Sequence, residues 1–190
     1  MNSISRTMKE LSLHILDIMQ NSLAAGADCI ELTIRENRQQ DQLIIEIRDN
    51  GRGMDRDQQQ QVTDPFVTSR QTREVGLGLP LLSEAARRCG GELKLESTPG
   101  EGTRVEAWFQ YNHIDRAPLG DMPGTIVSLL AVNPELELVY RHYLNQRQFV
   151  FKTSEIRQEL EGVALNHSRV LNWIEDYLRQ GLKDLQKGDG

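Results

Sequence analysis

Cysteine, aromatic side chains and long apolar runs are all scarce in this sequence of 190 residues. Its two cysteines, Cys29 and Cys89, lack the spacing of a metal site, and their apolar neighbours favour buried thiols over a disulfide. No apolar run reaches the roughly 18 residues of a transmembrane helix, and the N-terminal residues do not resemble a signal peptide. We therefore expect a cytoplasmic protein that does not associate with a membrane.

Positive charge is also in deficit, because 22 basic residues face 28 acidic ones and the formal net charge is -6. This balance argues against non-specific electrostatic binding to DNA, so we expect no nucleic-acid partner. Hydrophobic residues make up 38% of the chain, which is enough to supply a core. The length suits one full domain and a smaller unit.

A short glycine motif follows a predicted β-hairpin. Residues 30–36 and 43–49 alternate apolar and polar side chains around a polar turn. At the end of the second run, Asp49, Gly51 and Gly53 form an Asp-x-Gly-x-Gly string. It places one carboxylate beside two residues that tolerate positive φ, so the backbone can approach a flat ring closely. Taken alone, the string is also a good ordinary turn.

A polar stripe marks the predicted first helix, residues 8–25, whose apolar residues recur at intervals of three and four. The stripe consists of Glu10, His14, Asp17 and Asn21. Since this spacing puts them on one face, Asp17 and Asn21 lie one turn apart and can contact the same ligand.

A second glycine-rich stretch, Gly76-Leu77-Gly78, runs directly into a predicted helix over residues 79–89, with Pro80 at a tolerated first-turn position. Free backbone N–H groups and the positive end of the helix dipole favour an anion there. The sequence therefore predicts a phosphate-binding site at this point.

Together these motifs resemble, in order, the nucleotide-binding boxes of the GHKL superfamily, which contains gyrase, the large heat-shock chaperone, histidine kinases and mismatch-repair ATPases. The matching residues are Asn21, Asp49-x-Gly51-x-Gly53, Pro65-Phe66, Gly76-x-Gly78 and the closing Gly100-Glu101-Gly102-Thr103. The resemblance implies an α/β fold, the Bergerat-type two-layer sandwich, in which a mixed sheet carries its helices on one face. It also implies an ATP site that uses Mg²⁺.

The resemblance further implies a role for each matching residue. Asp49 would accept a hydrogen bond from the exocyclic amine of adenine, which selects ATP over GTP because guanine presents an oxygen there. Asn21 would ligate Mg²⁺ through its amide oxygen, the alternative being an ordinary surface or capping asparagine. The other predicted cofactor-binding residues are Gly51, Gly53, Met54, Phe66, Thr68, Arg70, Gly76, Leu77, Gly78, Leu79 and Thr103.

Asp17 occupies the place where several members of the superfamily have a catalytic glutamate. A carboxylate there can orient or deprotonate an attacking water or hydroxyl group, so Asp17 is the candidate catalytic residue. Aspartate is shorter by one methylene, about 1.5 Å, and a carboxylate that only tunes the magnesium site is the alternative. His14 is predicted to be a supporting or solvent-edge histidine rather than a phosphoacceptor. Arg70 and Arg73 would lie in a short ATP lid, although two arginines in a polar loop are often simply solvated.

The remaining third of the chain contains no chemical motif. Residues 112–124, rich in proline and glycine, are predicted to link an ATP-binding domain, residues 1–111, to a small α+β docking or dimerisation appendage, residues 125–190. Its predicted elements are an ambiguous apolar segment at 125–132, a hairpin at 136–143 and 148–152, and helices at 154–160 and 168–185.

Within the superfamily, the sequence resembles the small stand-alone members. A complete histidine kinase needs a helical hairpin with the acceptor histidine ahead of the ATP-binding domain, and with seven residues before the first predicted helix we expect none. Anti-sigma-type serine kinases are one resemblance. The start of the first helix and the run from Asn21 to Ala27 look most like histidine-kinase-like proteins of anaerobic bacteria associated with iron–iron hydrogenases or related NADH-linked redox complexes.

The leading hypothesis is an ATP-Mg²⁺-binding regulator, an ATP-dependent protein kinase or ATPase, that phosphorylates a partner protein in trans. The partner would be another protein, such as a redox-complex subunit, and the C-terminal amphipathic helix would suit a homodimer. The alternative is a nucleotide-gated interaction module, in which ATP binding alters docking with little or no catalysis.

Overall fold

The computed structural model describes residues 10–63, 77–160 and 162–187. The helices are α1 (Leu11–Ala24), α2 (Arg56–Thr63), α3 (Gly78–Arg88), α4 (Met122–Val132), α5 (Thr153–Glu159) and α6 (Ser168–Lys187). The strands are β1 (Cys29–Asn37), β2 (Gln42–Asp49), β3 (Glu92–Thr98), β4 (Gly102–Gln110), β5 (Glu137–Leu144) and β6 (Arg147–Lys152). Most predicted elements therefore occur, with ends that differ by a few residues.

The strands form one six-stranded mixed sheet in the order β3-β4-β2-β1-β5-β6. Neighbouring strands are antiparallel except β1 and β5, which are parallel. Alternate side chains, such as Leu32, Ile45 and Ile47, are buried in the core beneath the helices. The intervening positions carry ion pairs instead, for example between Arg104 and Glu46 at 2.6 Å. This arrangement confirms the predicted α/β fold with its mixed sheet.

The C-terminal third extends the same sheet. Strand β5 pairs with β1 over its whole length, from Cys29 opposite Glu137 to Glu36 opposite Leu144. Helix α4 packs against α1 and α6, and its residues Ile126 and Leu130 are fully buried. The predicted appendage therefore shares its sheet and its core with the first two thirds of the chain, while the domain boundary at residue 111 stays a prediction.

The predicted linker is shorter than expected and is attached to α1. Helix α4 begins at Met122, so Pro123 and Gly124 lie in its first turn, where proline is tolerated and where Asp121 accepts a hydrogen bond from Gly124 N at 3.1 Å. Ahead of it, the carbonyl groups of residues 118 and 119 accept hydrogen bonds from the first two N–H groups of α1, at 3.0 and 2.8 Å. The ambiguous segment 125–132 is helical.

Among the described helices, none combines the length and the apolar composition that crossing a lipid bilayer requires.

Candidate functional site

A cavity of about 450 Å³ lies between α1, α2, the start of α3, the end of β2 and the start of β4. Its wall includes six of the residues predicted for the site, namely Asn21, Asp49, Gly53, Met54, Leu79 and Thr103. Apolar side chains such as Ile18, Val62 and Val105 cover much of the rest. An apolar wall with a few converging polar groups is typical of a small-molecule site.

Asp49 ends strand β2, and two donors from different parts of the chain hold its carboxylate. Ser22 Oγ, on α1, donates to Oδ2 at 2.6 Å, and Gly51 N donates to Oδ1 at 2.9 Å. A carboxylate accepts about four hydrogen bonds, so acceptor positions are left for a ligand in the cavity. Ser22 is buried, with 5% of its surface exposed. Sequence reasoning missed Ser22, although its place directly after Asn21 in the helix was a usable signal.

The two glycines of the Asp49 motif are needed for different reasons. Gly53 has φ 67°, and a Cβ atom there would overlap the carbonyl oxygen of Thr98. Positive φ and close approach therefore both require glycine at this position. Gly51, in contrast, does not adopt positive φ. A Cβ there would instead lie 3.1 Å from both Ala25 O and Asp49 Oδ1, so close packing favours glycine.

Thr103 reaches the cavity because β4 pairs with β2. The register places Thr103 opposite Asp49, and Thr103 Oγ1 lies 2.9 Å from Ser97 Oγ. Ser97 Oγ also accepts a hydrogen bond from Met54 N at 2.8 Å. These contacts fix the loop after Asp49 against strands β3 and β4, on the floor of the cavity.

Further wall residues come from α2 and the loop before it, and the sequence prediction did not include them: Arg52, Gln58 and Gln61. Gln58 and Asp55 form a reciprocal cap, since Asp55 N donates to Gln58 Oε1 at 3.0 Å and Gln58 N donates to Asp55 Oδ1 at 2.9 Å. The Asp-x-x-Gln spacing is a recognisable helix start and could have revealed this wall.

Asp17 contacts the beginning of α3. Its Oδ2 accepts a hydrogen bond from the backbone N–H of Gly78, the first residue of that helix. Leu77, the residue before, has an exposed side chain. The carboxylate that the sequence marks as catalytic is thus engaged with the glycine stretch that the sequence marks as a phosphate site.

His14 lies one turn before Asp17 and is buried, with 5% of its surface exposed. Its Nδ1 has no hydrogen-bond partner among the described residues. Burial lowers the pKa of His14, and the nearby charge of Asp17 opposes this only in part. The imidazole is therefore neutral near pH 7, and of the two predicted roles its burial fits the supporting one.

Four of the predicted cofactor-binding residues, Phe66, Thr68, Arg70 and Gly76, lie outside the described residues. The same holds for Pro65 and Arg73. Their places in the site stay predictions.

Comparison with known proteins gives one family and several relatives. Residues 3–113 match the family described as histidine kinase-, DNA gyrase B-, and HSP90-like ATPase. The alginate biosynthesis sensor protein KinB of Pseudomonas aeruginosa is 33% identical over 89 residues, which are 46% of this chain and 15% of that protein. Sporulation kinase C of Bacillus subtilis is 29% identical over 94 residues, 50% of this chain and 22% of the kinase. The chain thus spans less than a quarter of the length of these two relatives.

Proposed function

This chain belongs to the family of histidine kinase-, DNA gyrase B- and HSP90-like ATPases, and we propose that it is a regulatory protein that binds ATP with Mg²⁺ and phosphorylates a partner protein in trans. The matched segment covers the elements that form the cavity, from α1 to β4. It is an ATP-binding domain like those of histidine kinases.

The fixed carboxylate of Asp49 is the observation that carries nucleotide binding. Ser22 and Gly51 hold it at the cavity wall, so its remaining lone pairs have a set direction. An exocyclic amine, as in adenine, can donate to such a group. The oxygen of guanine cannot, and it would leave a desolvated carboxylate unpaired. The site therefore favours ATP over GTP.

Asn21 is the residue that would hold Mg²⁺. It lines the cavity, and an amide oxygen is a hard neutral ligand suited to this ion. Within residues 10–63, 77–160 and 162–187, no group of three His, Cys, Asp or Glu side chains could hold a metal ion by itself. The donor set fits an ion that is bound mainly through phosphate oxygens and water, and such an ion would neutralise charge on the phosphates.

Asp17 is the proposed proton acceptor in phosphoryl transfer. It lies on α1 one turn before Asn21, where a carboxylate can take a proton from an attacking side chain or water. Its hydrogen bond to Gly78 N supports a second candidate function, a nucleotide-gated interaction module, because a carboxylate that caps α3 has a structural role at the start of that helix.

The partner and the cellular setting form the finer part of the proposal. Both relatives compared above are named as a sensor protein or a kinase, which supports a signalling role. The resemblance of the run from Asn21 to Ala27 to hydrogenase-associated proteins supports a redox-complex subunit as phosphoacceptor and a cytoplasmic location. A pull-down from native cytosol, with and without ATP and Mg²⁺, followed by incubation with labelled ATP, tests this. Label on a captured protein supports the kinase, and binding without turnover supports the module.

Replacement of Asp49 tests the site directly. We expect Asp49→Ala to weaken ATP binding by roughly 10- to 100-fold, because a hydrogen bond to a charged group contributes about 1.5–3 kcal/mol. Isothermal titration calorimetry measures the affinity, and circular dichroism checks the fold. Asp115→Ala, which removes the same charge from an exposed loop, is the control and should bind like the wild type. Unchanged affinity in Asp49→Ala would remove Asp49 from the site.

A further inference from the structure

The N-terminus of α3 is capped by a side chain from another helix. Gly78 N donates to Asp17 Oδ2 of α1, whereas Leu77, at the N-cap position of α3, makes no side-chain capping bond. A Cβ atom at Gly78 would lie 2.5 Å from the same carboxylate oxygen, so glycine permits the approach. Asp17 thereby satisfies one of the free donors with which every helix begins.

This contact borders the cavity. Asn21, one turn after Asp17 on α1, and Leu79, directly after Gly78 on α3, both line it. Ser22, which holds Asp49, is five residues beyond Asp17 and therefore about 7.5 Å further along the helix axis. A nucleotide with its base at Asp49 would accordingly extend its phosphates along α1 towards the start of α3.

Two anions can use the same donor at that end of the cavity. A helix N-terminus attracts phosphate groups through its free N–H groups and its dipole, and it attracts a carboxylate for the same reasons. A phosphate that approaches Gly78 N meets the negative charge of Asp17 already hydrogen-bonded there. The two like charges repel each other most strongly where water is excluded.

We propose that the Asp17 carboxylate competes with the nucleotide phosphates for the N-terminus of α3. The proposal rests on the nucleotide site described above. Phosphate binding displaces the carboxylate from Gly78 N, which frees its Oδ2 to accept a proton. Phosphate binding and the release of Asp17 are therefore coupled. A ligand without phosphates leaves the hydrogen bond between Asp17 and Gly78 N intact.

Three ligands that differ only in their phosphates test the competition. Isothermal titration calorimetry compares adenosine, ADP and ATP, all with Mg²⁺, in the wild type and in Asp17→Asn, whose side chain keeps the shape and an acceptor oxygen but has no charge. We expect ADP and ATP to bind roughly tenfold tighter to the variant, because a charged acceptor holds an N–H more strongly than a neutral one. The affinity for adenosine should not change.

A control and a second variant make the result decisive. Glu84→Gln removes the same charge from α3 at an exposed position paired with Arg88, and it should leave all three affinities unchanged. If thermal unfolding shows that Asp17→Asn does not fold, Asp17→Ser provides a shorter neutral cap for the same comparison.

The possible outcomes separate the competition from the site itself. Unchanged or weaker ATP binding in the folded variant overturns the competition, and so does an equal change for all three ligands, which would indicate a purely structural Asp17. Failure of the wild type to bind either adenosine or ATP refutes the nucleotide site.

Discussion

Ser22 determines how the Asp49 carboxylate is presented to the cavity. Its hydroxyl donates to Asp49 Oδ2 at 2.6 Å and also lies 3.3 Å from the carbonyl oxygen of Ile18, one turn earlier in α1. The serine is buried, so water cannot take over its role at low cost. In the proposed site, recognition of adenine by Asp49 would therefore depend on a residue that carries no charge and does no chemistry.

Loss of the Ser22 hydroxyl should weaken and broaden recognition. We expect Ser22→Ala to lower the affinity for adenosine about fivefold, since one hydrogen bond contributes about 1 kcal/mol, and to reduce discrimination against inosine. Titration calorimetry with both nucleosides measures this. Ser128→Ala, on α4, loses a hydroxyl that bonds to Gly124 O at an exposed position and should bind normally. Wild-type discrimination in Ser22→Ala would show that Asp49 needs no support from α1.

At the scale of elements, a buried polar chain joins β1 to β5. Tyr140 Oη lies 2.7 Å from His142 Nδ1, and His142 Nε2 lies 2.6 Å from Glu36 Oε1. Burial by itself raises the pKa of Glu36, but the hydrogen bond and charge of His142, with smaller contributions from Tyr111 and Arg38, outweigh it and the pKa is lowered. Burial raises the pKa of Tyr140, which stays protonated. These side-chain hydrogen bonds help to specify the parallel pairing of β1 and β5.

The lowered pKa of Glu36 predicts a pH dependence of stability. A carboxyl group with a lowered folded-state pKa stabilises the fold above its unfolded value of 4.5, and this contribution is lost as the pH falls through the folded value. We expect Glu36→Gln to reduce the free energy of unfolding at pH 7 by about 1–3 kcal/mol and to flatten the decline in acid. Urea denaturation between pH 3 and about pH 7 measures both.

The control for this variant is Glu92→Gln on β3, where an exposed carboxylate pairs with Lys94. Surface pairs contribute about 0–1 kcal/mol, so this variant should follow the wild type. If the free energy of unfolding of Glu36→Gln falls with decreasing pH as steeply as that of the wild type, Glu36 is not responsible for the loss of stability in acid.

For the whole molecule, one sheet unites the two predicted units. Strand β1 lies between β2 and β5, so removal of the C-terminal third would leave β1 as an unprotected edge. The same removal would uncover the part of α1 against which α4 packs. The six-stranded sheet, rather than the first four strands, is therefore expected to be the cooperative unit.

Truncation tests this unit. We expect a fragment of residues 1–111 to lose its cooperative thermal transition and to bind a hydrophobic dye, because apolar residues of α1 and β1 would face solvent. A fragment of residues 1–187, which keeps every element, is the control and should unfold like the full chain. A cooperative transition with ATP binding in the shorter fragment would instead support a separate ATP-binding domain.

The sequence by itself determined the elements and the type of fold. Alternation along β1 and β2, the three-and-four spacing in α1 and the glycine motifs predicted those elements because each depends on neighbouring residues. It also placed Asn21, Asp49 and Thr103 in one expected site, and the structure brings these residues together at one cavity.

Only the tertiary structure decided how distant segments meet. Ser22 and Asp49 are 27 residues apart, and Asp17 and Gly78 are 61 apart, so no local pattern links the members of either pair. The addition of β5 to β1 was hidden for the same reason, since strand pairing depends on complementary surfaces and not on the period of either strand. Patterns that repeat along the chain can be predicted from the sequence, whereas contacts between distant residues exist only after the chain has folded.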